Sequence, residues 1–301
     1  MTQPHASSVA SLPILQDVSQ QNYPASALYV VATPIGNVSD VTLRALHVLQ
    51  LADAVACEDT RNTGHLLARY GLAKELVAAH EHNEREVAQR LIARLQAGQR
   101  IALVSDAGTP AVSDPGARIV DAVRAAGLRV IPLPGASAAV AALSASGLVN
   151  DRFHFIGFLP AKPAQRMAQL EALRAASSTL VFYEAPHRIV DTVNALAQAF
   201  EPTRQLVLAR ELTKLFEEIH RCPVAEAPGW LAQDAHRQKG EFVLLLEGAA
   251  EERDAGDAEA DRVLTILLQE CSVKQAASLA AQITGRKKNA LYERALKLKQ
   301  D

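Results

Sequence analysis

Cysteine is scarce in this chain. Cys57, Cys222 and Cys271 are its only three, an odd number with no close pair. No CxxC and no His/Cys cluster at metal-ligand spacing occurs, which argues against a disulfide framework and a zinc site and fits a reducing cytosol. No apolar run approaches the ~18 residues that a membrane span needs. Residues 1–27 contain one Asp and no Lys or Arg, so the basic start and apolar core of a secretory signal are missing. Rich in Ser, Gln and Pro, this segment is expected to be a disordered arm. No GxGxxG follows a predicted strand and no GxxxxGK precedes a Ser or Thr, which weakens dinucleotide and P-loop readings. The formal net charge is −2 over 301 residues, so no global basic field advertises nucleic acid, and any RNA contact must come from local patches.

What the chain does have is concentrated in residues 101–116, IALVSDAGTPAVSDPG. Ile101–Ser105 reads as a short buried parallel strand. A loop rich in Asp, Gly, Pro and hydroxyls follows, and then Gly116 onward places apolar residues at helical spacing. Asp114 suits the helix cap and Pro115 its first turn. A strand-to-helix turn usually needs ~2–6 residues; this one is longer and carries two carboxylates beside two glycines that allow close backbone approach. A ligand loop at the carboxyl end of a parallel strand fits better than a plain turn.

Three more predicted strands end in polar loops. Leu28–Ala32 runs into Thr33-Pro-Ile-Gly-Asn37, Ala54–Cys57 into Glu58-Asp-Thr-Arg61, and Leu76–Ala79 into His80-Glu-His-Asn83. In a parallel sheet all four loops face one rim. A further strand, Arg129–Pro132, leads to Pro134-Gly-Ala-Ser-Ala138 and a helix of small residues to about Ser146. The second half restarts the alternation, with strands at Phe153–Phe155, Thr179–Tyr183, Gln205–Ala209 and Gly240–Glu247 and helices between them. Alternation in both halves argues two α/β domains, and a cleft between domains is a default ligand site.

SDAGTPAVSDPG, TPIGN at 33–37 and EDTR at 58–61, in that order, resemble the tetrapyrrole methylase superfamily. Within it the chain is similar to the ribosomal RNA small subunit methyltransferase I family, from about Leu28 to the C-terminus. The resemblance implies a class III methyltransferase fold: two α/β domains with a cofactor cleft between them and a small C-terminal helical domain. It implies S-adenosylmethionine as cofactor, held by Asp106, Ala107, Gly108, Val112 and Ser113, with Ser137 and Ala138 facing it. Pro34, Gly36 and Asn37 would sit near the methyl acceptor. The family's usual Gly before this loop is Ala32 here, a small-for-small change expected to be tolerated.

The implied reaction is 2′-O-methylation of a cytidine ribose in the decoding region of 16S rRNA, within the assembled small subunit, by a cytoplasmic homodimer. A ribose hydroxyl is a poor nucleophile until its proton can leave, so the rim must supply a proton acceptor. Asp59, Glu184, Glu211 and His80 are the candidates, and the residues alone do not choose among them. Arg61, Arg188, Arg210 and Lys214 read as phosphate-gripping groups. The alternatives are a precorrin-type tetrapyrrole methyltransferase, a non-catalytic RNA-binding protein of the same fold, and a helix-turn-helix DNA regulator, which would leave most of the chain without a purpose.

The expected layout is an arm at 1–27, α/β domains at 28–146 and 147–248, an acidic linker at 249–262 and a basic helical hairpin at 263–301. Residues 251–262 hold six acidic and two basic side chains, whereas 273–301 hold seven Lys/Arg against two acids. Helices at Val273–Ile283 and Lys288–Lys299, joined by a Gly-containing turn, have a helix-turn-helix shape. Arg286, Lys287 and Lys288 at that turn are the expected phosphate contacts; a solvated hairpin is the plain alternative.

Overall fold

A computed structural model describes residues 14–80, 83–249 and 255–299. The chain divides into two compact units, one taking in residues up to Arg174 together with Ser178–Glu247, the other Ala175–Ser177 with Gly248 onward.

The first sheet holds β1 (Ala27–Val31), β2 (Ala54–Cys57), β3 (Leu76–Ala78), β4 (Arg100–Leu103) and β5 (Arg129–Leu133). All are parallel, in the order β3-β2-β4-β1-β5. Its strands read as continuous apolar runs because both faces are covered. Along β1, Ala27, Tyr29 and Val31 point into a core with α2 (Leu43–Leu51) and α3 (Thr60–Arg69), while Leu28 points into another built with α4 (Glu84–Gln96) and α5 (Ala117–Ala125). Thr42 caps α2, its hydroxyl accepting from Ala45 N at 3.1 Å. Asp114 does not cap α5, contrary to expectation. Gly116 occupies the N-cap, and its N–H donates to Glu84 Oε1 at 2.5 Å. Glu84, buried at the start of α4, thus satisfies a helix end that lies 32 positions away.

The second sheet holds β6 (Phe153–Phe158), β7 (Thr179–Glu184), β8 (Gln205–Arg210), β9 (Glu218–Pro223) and β10 (Phe242–Leu246), in the order β6-β7-β10-β8-β9. Only β6 and β7 are parallel; the other neighbours are antiparallel. Helices α7 (Pro163–Ala172) and α8 (Ile189–Ala199) make the expected alternation, and α9 (Ala227–Ala232) precedes β10. Strand β9 was not expected: EIHRCP mixes charge with apolar residues, as an edge strand in a hairpin can. Helix α6 (Ala138–Ala145) follows β5 of the first sheet yet packs on the second, with Ala139 and Ala142 against Val181, Val207, Val243 and Leu245. Its small residues let it lie close and place both sheets' loops together.

Two terminal expectations need correction. Within the supposed arm, α1 (Ile14–Gln20) is helical, because Val18 and Tyr23 find burial and the Tyr23 hydroxyl donates to Val18 O at 3.0 Å; residues 1–13 lie outside the described residues. The acidic linker is largely α10 (Ala255–Glu270), since Val263, Leu264, Leu267 and Leu268 continue a helical stripe behind the charges; residues 250–254 lie outside the described residues. The C-terminal unit is therefore a three-helix core rather than a hairpin. In it α10 joins α11 (Val273–Thr284) and α12 (Lys288–Leu298) around Leu264, Ala277, Ala280, Leu291 and Ala295. A Ser272/Gln275 capping box opens α11, and Gly285 closes it in the left-handed region at φ 70°.

Candidate active site

The loops after β1, β4 and β5 are stitched together at the carboxyl rim of the first sheet. Thr33 and Gly108 exchange backbone hydrogen bonds at 2.9 and 3.0 Å, and the Thr33 hydroxyl donates to Ser105 O at 3.0 Å. The Thr109 hydroxyl donates to Ala136 O at 3.0 Å. Gly135 comes so close to Ala32 that a Cβ on it would lie 2.6 Å from the Ala32 Cβ. The Ala32 methyl is thus accommodated by the absence of a side chain at Gly135.

These loops and one end of the central strands of the second sheet line a cavity of about 330 Å3, within the size range of small-molecule sites. Of the residues expected to hold a cofactor, Ala107, Gly108, Val112, Ser137 and Ala138 line it. Asp106 is engaged elsewhere and is not part of the wall: it accepts from Asn62 Nδ2 at 2.7 Å and from Asp59 N at 3.3 Å, tying the start of α3 to the β4 loop. Ser113 is not in the wall either; its Oγ lies 2.9 Å from where a Gly157 Cβ would stand. The wall also contains Asp114, expected as a helix cap, and groups that the sequence did not single out, chiefly Tyr183, Leu212, Glu241 and Phe242.

The loop carrying these residues is strained. Ala111 and Ser113 have φ of 65° and 63°, and across the cavity Glu211 and Thr213 have 50° and 66°. Non-glycine residues persist there only where surroundings over-determine them, and such residues cluster at functional sites. Around Glu211 the surroundings are explicit. Lys214 Nζ bonds Glu211 Oε1 at 2.8 Å and Glu241 Oε2 at 2.9 Å, and Glu241 N donates to Glu211 Oε1 at 3.0 Å. Gly240 leaves room for the Glu211 carboxylate, which would lie under 3 Å from any Cβ there. Gly36 similarly makes room for Lys214, and Asn37 N donates to Thr213 Oγ1 at 3.1 Å. This network bolts the β1 loop, with Pro34 and Ile35, to the turn after β8.

The four expected proton acceptors are disposed differently. Asp59 is the N-cap of α3 and pairs with Arg61 at 2.8 Å; that hydrogen-bonded partner holds its carboxyl down at about 2. Burial pushes the Glu211 carboxyl up, but Lys214 and the Glu241 backbone outweigh it and the net shift is downward. Glu184 is 2% exposed and its oxygens are taken by Thr192 Oγ1 at 2.6 Å, Ala185 N at 2.9 Å and Arg188 at 3.3 Å. His80 is exposed and outside the cavity wall, its N–H donating to Asn83 Oδ1 at 2.9 Å; His82 lies outside the described residues.

Two of the expected phosphate-gripping arginines are structural. Arg188 donates to Leu159 O at 2.5 Å, and Arg210 to the backbone oxygens of His236 and Lys239 at 3.3 and 3.2 Å. Arg61, whose side chain is 85% exposed, remains accessible, as do Lys287 and Lys288, with Arg286 half-buried beside them. Arg294 is bound within its own unit to Asp261, at 2.8 Å for the second of its two bonds.

Burial raises two wall groups. The Tyr183 phenol is pushed up, and its oxygen accepts from Ala139 N at 3.2 Å. The Asp114 carboxyl is pushed up to about 6 by burial, with Glu58 and Asp106 adding to the rise against the Ser105 hydrogen bond.

Comparison with known proteins agrees with this layout. Residues 27–228 match the family model described as Tetrapyrrole (Corrin/Porphyrin) Methylases, and residues 254–299 match the RsmI C-terminal HTH domain. The chain is 52% identical to the ribosomal RNA small subunit methyltransferase I of Escherichia coli O157:H7, over 89% of this chain and 94% of that one. It is 51% identical to the Pseudomonas aeruginosa protein of the same name, over 90% and 97%. Among solved structures, a uroporphyrin-III-C-methyltransferase from Thermus thermophilus superposes with a TM-score of 0.54 at 26% identity, covering 74% of this chain and 94% of that one. With half of its residues shared over nine-tenths of its length, the chain belongs to the ribosomal RNA small subunit methyltransferase I family, on the tetrapyrrole methylase fold.

Proposed function

We propose that the protein transfers a methyl group from S-adenosylmethionine to the 2′-hydroxyl of a cytidine ribose in 16S rRNA, acting on the assembled small ribosomal subunit. The observation that carries this reading is the half-identity with relatives named for small-subunit ribosomal RNA, joined to a cavity built from the loops that bear two of the methylase motifs, TPIGN and SDAGTPAVSDPG. The wall suits the cofactor chemically. Ala107, Gly108, Ser137 and Ala138 leave backbone groups reachable, and Leu212, Phe242 and Val243 offer apolar surface. When bound, the cofactor supplies an electrophilic methyl.

Pro34, Gly36 and Asn37 border the acceptor side in this reading. Lys214 acts there by fixing the β1 loop rather than by touching phosphate, and Arg61, Arg286, Lys287 and Lys288 grip the RNA backbone. Glu184, Arg188 and Arg210 shape the cleft. The test is methyl transfer from labelled cofactor to small ribosomal subunits, naked 16S rRNA and a precorrin, with the product mapped to a nucleotide. Label on a cytidine 2′-oxygen of the subunit is expected. Label on the precorrin alone would establish the tetrapyrrole alternative, and RNA binding without cofactor binding the non-catalytic one.

Homodimeric assembly and a cytoplasmic location belong to the same reading. Large apolar side chains stand exposed on the second-sheet half, Leu215 at 88% and Phe216 at 66% among them, as a subunit interface would leave them in one chain alone. Light scattering at micromolar concentration is expected to give twice the chain mass; a mass near 32.3 kDa would rule the dimer out. No helix of the described residues is long and apolar enough to cross a membrane.

A further inference from the structure

Resting on the methyl-transfer reading above, we propose that Asp114 is the group that takes the proton from the acceptor hydroxyl. Among the described residues three carboxylates stand in the cavity wall: Asp114, Glu184 and Glu241. Glu184 is buried among Thr192, Ala185 and Arg188, and Glu241 is held by the Lys214 ammonium. The Ser105 hydroxyl, which donates to Gly108 O at 3.1 Å, lowers the Asp114 carboxyl, and the charges that raise it are the carboxylates of Glu58, just after β2, and Asp106, from the β4 loop. From the second sheet, Tyr183 and Glu184 on β7 and Glu241 at the start of β10 face the same cavity. Of the three wall carboxylates, Asp114 alone is not committed to a cation.

Its position is fixed rather than incidental. Ser113, immediately before it, has φ 63° and packs where β6 bulges between Phe155 and Gly157. Gly157, at φ 73°, leaves the space that the Ser113 hydroxyl occupies. Bulges re-aim neighbouring groups and recur beside active sites. The loop is therefore clamped between β4 and the second sheet, with Asp114 in the cavity wall.

The step balances as follows. The hydroxyl oxygen forms a bond to the methyl carbon of the sulfonium. The carbon–sulfur pair stays on sulfur, leaving a neutral thioether. The hydroxyl proton passes to an Asp114 carboxylate oxygen and from there to solvent. A proton acceptor works best when its own pKa lies near the operating pH, and a carboxyl raised to about 6 is ionised at neutral pH yet closer to neutrality than an ordinary aspartate. The sign follows: below about 6 the carboxyl is protonated, and the rate falls roughly tenfold per pH unit.

The experiment combines two readouts on full-length protein. Carbon NMR of selectively labelled Asp carboxyls, assigned with Asp114→Asn, is expected to show Asp114 titrating near 6 in the ligand-free protein. Single-turnover methyl transfer to small ribosomal subunits, from pH 5 to 8 with saturating cofactor, is expected to show an acid limb in the wild type. Asp114→Asn should lower that rate by about 10²–10⁴-fold and abolish the limb, while calorimetry gives S-adenosylhomocysteine affinity within about threefold of wild type. Asp114→Glu should recover part of the rate and the limb. An acid limb unchanged in Asp114→Asn, a carboxyl titrating in the ordinary aspartate range, or a loss confined to cofactor affinity would each overturn the proposal alone. Absence of transfer by the wild type would overturn the functional reading and the proposal with it.

Discussion

Gly108→Val is expected to lower affinity for S-adenosylmethionine by about 100-fold or more while the protein stays folded. Gly108 sits at φ +83°, where an L side chain is strained, and its N–H and C=O are both bound to Thr33. A branched residue in that region costs on the order of 1–3 kcal/mol, and the loop cannot relax without breaking the Thr33 bridge. The Cβ itself would stand 3.4 Å from Ile35 Cγ2 and 3.7 Å from Ala136 O. The γ-methyls must then go into the cavity or displace the β1 loop, and either outcome removes space and backbone contact from the ligand. Gly108→Ala separates the two causes: it carries the backbone strain without the γ-methyls and should fall between wild type and valine. Calorimetry measures both variants, and near-native circular dichroism confirms the fold. Unchanged affinity in the valine variant would mean that the β4 loop is not where the cofactor binds.

The loop itself was legible in the sequence, and so were the five strands of the first sheet, because both faces of that sheet are buried and its strands read as apolar runs. What the sequence hid was mostly non-local. Asp-Pro-Gly before an amphipathic stretch reads as a cap for α5, yet the cap is Glu84 from another helix, and Asp114 is thereby left to face the cavity. Arg188 and Arg210 have the composition of phosphate contacts but bind backbone carbonyls that folding brings to them. Tyr183 and Phe242 lie on strands of the second sheet, and Glu241 just before one, and the position of that sheet against the first is set by α6, which no local pattern encodes. Strand β9 was missed because an edge strand needs only weak alternation. The six acids in 251–262 give the start of α10 the composition of a linker, although the apolar stripe of a helix is present at Val263, Leu264, Leu267 and Leu268. The Ala32 departure had a visible counterpart in the sequence, Gly135, but only the 2.6 Å approach pairs them.

Removing the C-terminal unit, by ending the chain after Ala249, is expected to leave cofactor affinity within about twofold of the full chain and to cut methyl transfer at limiting subunit concentration by two orders of magnitude or more. The first half follows from placement: the cavity wall runs from Ile35 to Val243, and the stop keeps the Ala249 N–H on Ala176 O at 2.7 Å. The second follows from charge. Lys287, at the N-cap of α12, and Lys288 and Lys297 within it are exposed, whereas the Arg294 guanidinium is committed to Asp261. Each cation that neutralises a phosphate adds about 0.7–0.9 to the slope of log affinity against log salt, so losing these three lysines together with Arg286 should flatten the slope by roughly 3. Because the chemistry stays in the α/β body, the loss should appear in KM and not in kcat. Lys287→Glu with Lys288→Glu in the full chain tests the same idea without removing a folded core: both are exposed, so the unit should melt as before while RNA binding weakens and the salt slope drops. Arg294→Ala discriminates further, since it breaks an internal ion pair and should destabilise the three-helix unit without a comparable change in slope. If the truncated chain methylates subunits as well as the full one at limiting substrate, the three helices are a structural appendage, and the RNA grip must lie on Arg61 and the rim of the cleft.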